Sequence, residues 1–246
     1  MSPLTNVTSK QLLPVYDKPL IYYPLSTLML ANIREIAIIV TPSQIDYFKK
    51  LLGNGVSLGI KLQYLIQDKP NGIAESLLIS ENFLAGDKCA LILGDNIFHG
   101  PGLGRRLSMF NILTGAHIFG YKVKNPESYG IAKLDKDGNI LELSEKPVDY
   151  NSNIAIPGIY FFDENASTYT HRLRPSERGE LEIIDLLKIY HSKQLLKLEM
   201  LPRGTAWFDS GTFEDLHDAS TYVRLMQDRT GERVGDPNEI AKFLNH

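Results

Sequence analysis

Glu35-Ile36-Ala37-Ile38-Ile39-Val40-Thr41-Pro42 opens the stretch whose reading decides the fold. Its first six residues are almost continuously apolar, the pattern of a strand buried on both faces, as in a mostly parallel sheet. Thr41 and Pro42 are residue types that cap and open a helix. Ile45, Phe48, Leu51 and Leu52 then share one helical face, and Gly53 supplies a stop. Strand, cap, helix and stop make a βα unit.

Working outward, Leu62 to Ile66, Cys89 to Leu93 and His117 to Val123 repeat the apolar strand pattern with amphipathic segments between them. The expected fold class is α/β, a Rossmann-like mixed and mostly parallel sheet flanked by helices. Gly130 to Leu134 and Ile140 to Leu143 flank Asp135-Lys136-Asp137-Gly138-Asn139, a hairpin-turn composition that predicts a smaller antiparallel section. Helices are expected from Glu180 to His191 and from Phe213 to Gln227, around a strand near Leu196 to Leu201. At 246 residues, one domain over 1–246 is the expectation.

Composition narrows the function. A formal net charge of -3 offers no basic field for a nucleic-acid backbone, so nucleic acid is not an expected partner. Charged residues make up 22%, and no apolar run is long enough to cross a bilayer, so no membrane partner is expected either. Met1-Ser2-Pro3-Leu4-Thr5 has no basic region leading into an apolar stretch, and the expected location is cytoplasmic. The single cysteine, Cys89, lies in an apolar run and reads as a buried structural thiol.

Two carboxylates stand out. Leu91-Ile92-Leu93-Gly94-Asp95-Asn96 puts Asp95 where a strand runs out, and open α/β sheets bind ligands beyond the carboxyl ends of their strands. Gly94 would let backbone approach a ligand, and Asp95 would suit Mg²⁺, a hard cation that prefers oxygen; Gly-Asp-Asn is equally a turn composition. Asp209, in Trp207-Phe208-Asp209-Ser210-Gly211-Thr212, is a second metal-ligand candidate, or a helix cap. Whether the two meet is not legible locally.

Lys10, in Thr8-Ser9-Lys10-Gln11-Leu12-Leu13-Pro14-Val15, leads into an apolar run, so its head could face a cleft or plain solvent. Glu145-Lys146-Pro147 closes a strand. Glu145 could accept from sugar hydroxyls with Lys146 facing a phosphate, or the pair could be a solvated strand end. Gln67-Asp68-Lys69-Pro70-Asn71-Gly72 follows a strand and offers an amide to a nucleobase edge, or is an ordinary loop.

Rival chemistries lack their residues: there is no dinucleotide fingerprint, Walker-type loop or His-Glu-x-x-His. Gly100-Pro101-Gly102-Leu103-Gly104 reads as a loop, Asp135-x-Asp137 as turn chemistry, and the six histidines show no zinc-ligand spacing.

Taken together, the stretches at 9–19, Tyr22 to Ala31, 93–96, 145–147, Arg178-Gly179-Glu180-Leu181-Glu182-Ile183 and Gly204 to Thr212 resemble the glucose-1-phosphate thymidylyltransferases of the sugar-phosphate nucleotidyltransferase family. The resemblance spans nearly the whole chain. It implies the nucleotide-diphospho-sugar transferase fold, with 1–125 as a nucleotide-binding part and 126–246 as a sugar-binding part. It also implies dTTP and glucose 1-phosphate as substrates, dTDP-glucose as product in deoxysugar synthesis, Mg²⁺ as cofactor and a homotetramer as the assembly. Carried over residue by residue, Asp95 and Asp209 look like the Mg²⁺ ligands and Lys10 like the cation that steadies the phosphates. Lys10, Gln67, Gly72 and Asp95 fall at the nucleotide, and Asn96, Tyr129, Gly130, Glu145, Lys146, Asn153 and Ile156 at the sugar.

The sequence departs from the family pattern in four places. Relatives begin with a strand and a Gly-Gly-x-Gly-Thr-Arg-Leu loop that holds the triphosphate, whereas this sequence opens just beyond it. Unpaired strand edges, and an impaired remnant that binds sugar nucleotide or associates with full-length relatives, are the alternative expectation from that difference, and another base or sugar specificity is the alternative within the class. Relatives also continue past Asn245-His246. His99 stands where Tyr is usual, and Ile184 where Thr is usual.

Overall fold

The computed structural model describes residues 1–109, 114–147, 149 and 151–244, the last by its backbone alone; Asn245-His246 lie outside them. The strands, in chain order, are β1 (Pro14–Val15), β2 (Lys18–Pro19), β3 (Glu35–Val40), β4 (Lys61–Ile66), β5 (Cys89–Ile92), β6 (Ile97–His99) and β7 (Ala116–Lys122). They continue with β8 (Gly130–Leu134), β9 (Ile140–Glu145), β10 (Ile154–Ala155), β11 (Ile159–Phe162), β12 (Leu196–Met200) and β13 (Ala206–Phe208). The helices are α1 (Tyr22–Leu30), α2 (Ile45–Leu52), α3 (Glu75–Ile79), α4 (Glu81–Leu84), α5 (Leu103–Ser108), α6 (Ala166–Thr170), α7 (Ile183–Ser192), α8 (Phe213–Thr230) and α9 (Pro237–Leu244). Among the described residues, no helix is long and apolar enough to cross a membrane.

The chain gathers into two compact units, one of Met1–Tyr64, Ile92–Met109 and Arg203–His246, the other of Leu65–Leu91 and Phe110–Pro202. In the first unit, β3 pairs with β4, β1 with β2, and β6 with β13. Val15, Leu20, Tyr23, Ile97, Ala219, Val223 and Val234 form its core. The Tyr23 hydroxyl donates to the Val15 carbonyl at 2.7 Å, so the ring is buried without losing its polar partner. Gly104 lets α5 lie against α1: a Cβ there would stand 3.0 Å from both Cβ and the carbonyl oxygen of Leu30.

The second unit holds a mixed sheet ordered β5-β11-β7-β10-β8-β9, with β12 on β7. β7 runs parallel to β12 but antiparallel to β10 and β11. The antiparallel share therefore exceeds what the apolar runs suggest, because β10 and β11 are two short segments of one return path along β7. Helix α7 covers the sheet, and its Leu186, Leu187 and Tyr190 are fully buried beside Ile118, Ala132 and Phe162. Asp163 ties this core together, accepting from the Tyr190 hydroxyl at 2.8 Å and the Gly115 N–H at 2.9 Å.

The hairpin is as expected: β8 and β9 are antiparallel, and the Asp135 carboxylate accepts the N–H groups of Asp137 and Asn139, each at 2.8 Å. Other expectations shift. Helix α2 starts at Ile45, and Thr41 does not cap it. Instead Thr41 accepts the Gln44 N–H to close a turn, while Gln44 Oε1 accepts the Ser9 N–H at 2.9 Å. Gly53 does end the helix, with φ +59°. Helix α7 begins at Ile183 because Glu182 stays extended. The Gly100–Gly104 loop is helical from Leu103. Cys89 is only partly buried along the half-buried β5, yet burial pushes its thiol up to about 12, which fits an unreactive structural role.

Candidate active site

The β6–β13 ladder assembles the acidic pair. Its register sets Phe208 opposite Ile97 and Ala206 opposite His99. Asp209 follows β13 and Asp95 precedes β6, so antiparallel pairing delivers both to one end of the ladder. No local pattern contains this information, since the two strands lie more than a hundred residues apart.

Lys10 arrives in a one-turn 3₁₀ segment, Lys10–Leu12, that redirects the chain into the core. Its Nζ donates to Asp95 Oδ2 at 2.8 Å, with the two side chains only 19% and 27% exposed. Partial burial makes such a charge-assisted bond firmer than a surface pair. Gly94, expected to admit a ligand, sits against Gln11: a Cβ there would lie 3.0 Å from the Gln11 Cγ. The glycine thus lets the Lys10 segment pass close to the backbone beside Asp95.

Asp209 is not the helix cap. Thr212 caps α8 through a reciprocal box with Asp215, the Thr212 N–H donating at 2.8 Å and its Oγ1 accepting from the Asp215 N–H at 3.1 Å. Burial raises the Asp209 carboxyl above its ordinary value; the charges of Asp215 and Asp95 add to the rise, while the Gly211 N–H and Lys10 oppose it. An under-neutralised pair of oxygen ligands with one cation beside it fits a hard divalent metal. Among the described residues, no group of three or more His, Cys, Asp or Glu side chains is arranged as a metal cage. Mg²⁺ characteristically takes one or two carboxylates and completes its sphere with water and phosphate oxygens.

Asn96 is 2% exposed. Its Nδ2 donates to Asp95 Oδ1 at 2.9 Å, and its Oδ1 accepts the Trp207 indole N–H at 2.7 Å. Neither contact was expected from sequence. His99, at the far end of the ladder, bonds through Nδ1 to the Tyr222 hydroxyl at 2.7 Å and so braces β6 against α8.

The second unit brings the remaining candidates into two groups. Gln67 Nε2 donates to Glu75 Oε2 at 2.7 Å and lies 3.4 Å from the Gly72 carbonyl, which curls the loop after β4 upon itself. Gly72 has φ +105°, and a Cβ there would stand 2.4 Å from the Leu181 carbonyl oxygen, so only glycine fits. In the other group, β8 sets Gly130 opposite Glu145, the Ile156 N–H donates to Gly130 at 2.8 Å, and the Lys146 N–H donates to Tyr129 at 3.1 Å. Asn153 accepts from the Val123 N–H at 2.9 Å just before β10. Ile184 closes against this group, its Cδ1 standing 2.9 Å from where a Gly130 Cβ would be.

Burial, and then Glu182, raises the Glu145 carboxyl, while Lys146 and Arg178 pull it down. Arg178 bonds Glu182 at 2.8 Å and reaches to 3.7 Å from Glu145. The Arg-Gly-Glu-Leu-Glu motif flagged this segment, but nothing in it specified an ion-pair partner at the end of β9.

The chain matches the family described as nucleotidyl transferase over residues 1–224. It is 48% identical over 241 residues to a glucose-1-phosphate thymidylyltransferase of Mycolicibacterium smegmatis, covering 98% of this chain and 84% of that one. A protein of the same name from Xanthomonas campestris pv. campestris is 49% identical over 240 residues, covering 97% and 81%. Among solved structures, a Bacillus anthracis protein assigned the same name, in complex with a sucrose, superposes with a TM-score of 0.84 at 35% identity, covering 91% of this chain and 90% of that one. A UDP-glucose pyrophosphorylase bound to UDP-glucose shares the fold, with a TM-score of 0.79 at 22% identity and coverage of 92% and 94%.

Proposed function

The chain belongs to the nucleotidyl transferase family, and from that premise we propose that it joins dTTP to glucose 1-phosphate, giving dTDP-glucose and pyrophosphate. The observation that carries the reading is the 2.8 Å Lys10–Asp95 pair, with Asp209 in its electrostatic field, at the end of the β6–β13 ladder. A phosphoryl-transfer site needs a cation for the polyphosphate and oxygen ligands for a metal, and these three residues supply both.

In this reading a phosphate oxygen of the sugar phosphate attacks the α-phosphorus of dTTP, the bond to pyrophosphate breaks, and Lys10 steadies the non-bridging charge. Asp95 and Asp209 would hold Mg²⁺, which when bound offsets the repulsion between the two phosphate groups. Gln67 and Gly72 fit the thymine edge. Glu145 accepts from sugar hydroxyls, Lys146 faces the sugar phosphate, and Tyr129, Gly130, Asn153 and Ile156 shape the surroundings of the ring. Deoxysugar synthesis, a cytoplasmic location and a homo-oligomer, a tetramer as its family implies, complete the proposal.

The test is pyrophosphate release from dTTP, glucose 1-phosphate and Mg²⁺, run in competition with UTP and CTP. Turnover with dTTP favoured, and abolished in Asp95→Asn, is the expected result. Turnover that survives Asp95→Asn and Asp209→Asn unchanged sinks the assignment.

A further inference from the structure

The Trp207 indole N–H is a donor only. At 2.7 Å it selects the oxygen of the Asn96 amide, and the amide nitrogen is thereby turned toward Asp95 Oδ1, 2.9 Å away. The other Asp95 oxygen accepts from Lys10 at 2.8 Å. A flipped amide would set two oxygens against each other at the carboxylate and two donors against each other at the indole. Asn96 is 2% and Trp207 9% exposed, so bulk water does not compete for these bonds. Trp207 lies on β13, two residues before Asp209. The strand that delivers one acidic residue therefore orients the other.

From this geometry we infer that Trp207 and Asn96 are positioning residues: the indole sets the Asn96 amide, and the amide locks the Asp95 carboxylate toward Lys10 and the metal. The inference rests on the nucleotidyl-transfer reading, and it moves Asn96 from the sugar to the orientation of Asp95. Groups that orient metal ligands in this way typically change metal affinity or activity by about 10- to 100-fold when removed.

Trp207 is the chain's single tryptophan, so a ¹⁵N-labelled sample carries one indole resonance. Without metal or substrate, Asp95→Ala is expected to speed hydrogen exchange at that indole about fivefold, because the Asn96 amide loses its anchor. In an Asn96→Leu background, Asp95→Ala is expected to have no further effect on it. In turnover, Trp207→Phe and Asn96→Leu each raise the Mg²⁺ concentration for half-maximal rate about tenfold, with the KM for glucose 1-phosphate within about twofold. Their double variant is expected to be no worse than the larger single change. Indole exchange indifferent to Asp95→Ala, or additive effects on the Mg²⁺ requirement, overturns the inference. The exchange measurement needs no turnover, so its failure is distinguishable from failure of the thymidylyl assignment.

Discussion

Lys10 is held by Asp95 before any substrate arrives, and in the proposed reaction that preorganisation makes its charge useful. A cation fixed by a 2.8 Å bond needs little rearrangement when phosphate charge develops beside it. Lys10→Met should therefore lower kcat for pyrophosphate release by roughly 10²-fold, the loss seen when one preorganised electrostatic contact is deleted. Lys10→Arg should not restore the rate, because a planar fork cannot occupy the place of a compact ammonium. A kcat within about twofold of wild type in Lys10→Met would remove Lys10 from the mechanism. His117 makes a separate, pH-dependent case. Burial, reinforced by Lys197, lowers its pKa to about 4 from an ordinary 6.5. Glu199, 3.8 Å from Nε2, pulls the other way, but its side chain is 32% exposed and solvated, so burial prevails. Between pH 6.5 and 4 the unfolded chain binds a proton that the native ring refuses, so this contribution to stability falls as pH falls. Urea unfolding should show His117→Leu sparing up to roughly 3 kcal/mol of that acid loss relative to wild type, and parallel pH curves would refute it.

Among the elements, the loop from β4 to α3 places Gln67, and its path depends on Gly72. Two separate constraints act there, φ +105° and a backbone contact with Leu181 that leaves no room for a Cβ. Gly138, in the β8–β9 turn, has φ +86° but nothing within 4 Å. Gly138→Ala should therefore cost about 1 kcal/mol from backbone strain alone, whereas Gly72→Ala adds the collision and should cost about 2–3 kcal/mol. It should also raise the KM for dTTP. Equal losses in chemical denaturation, with KM unchanged, would show that the loop relaxes freely around the new methyl. The same scale explains what the sequence made legible. The β8–β9 hairpin could be read because Asp135 and Gly138 satisfy their turn locally. The start of α2 was misread because Gln44 is drawn to Ser9, 35 residues away, and local capping preference carries no trace of that bond.

Over the whole molecule, the α/β class was readable because apolar runs and their stops recur along the chain. The candidate carboxylates were readable because each stands at the end of such a run. Their arrival at one end of the same ladder was not, since it is fixed by the register of β6 on β13, a property of strands far apart in sequence. Nor was the Trp207–Asn96–Asp95 relay, which needs three side-chain orientations at once. Linkage offers a test at this scale. A ligand that binds the native chain and not the unfolded one stabilises it by about 2.7 kcal/mol when present at a hundred times its Kd. For a chain of this length, each kcal/mol moves the melting midpoint by roughly 2–4 °C. Saturating dTDP-glucose with Mg²⁺ should therefore raise Tm on the order of 5–10 °C, with UDP-glucose giving less at the same concentration. Asp95→Asn should remove the part of the rise that depends on Mg²⁺, because Asp209, the other proposed ligand, then lacks the Lys10-anchored partner that completes the pair. A midpoint that millimolar dTDP-glucose leaves unmoved, in a chain that melts cooperatively without it, would mean that the native fold does not recognise this product.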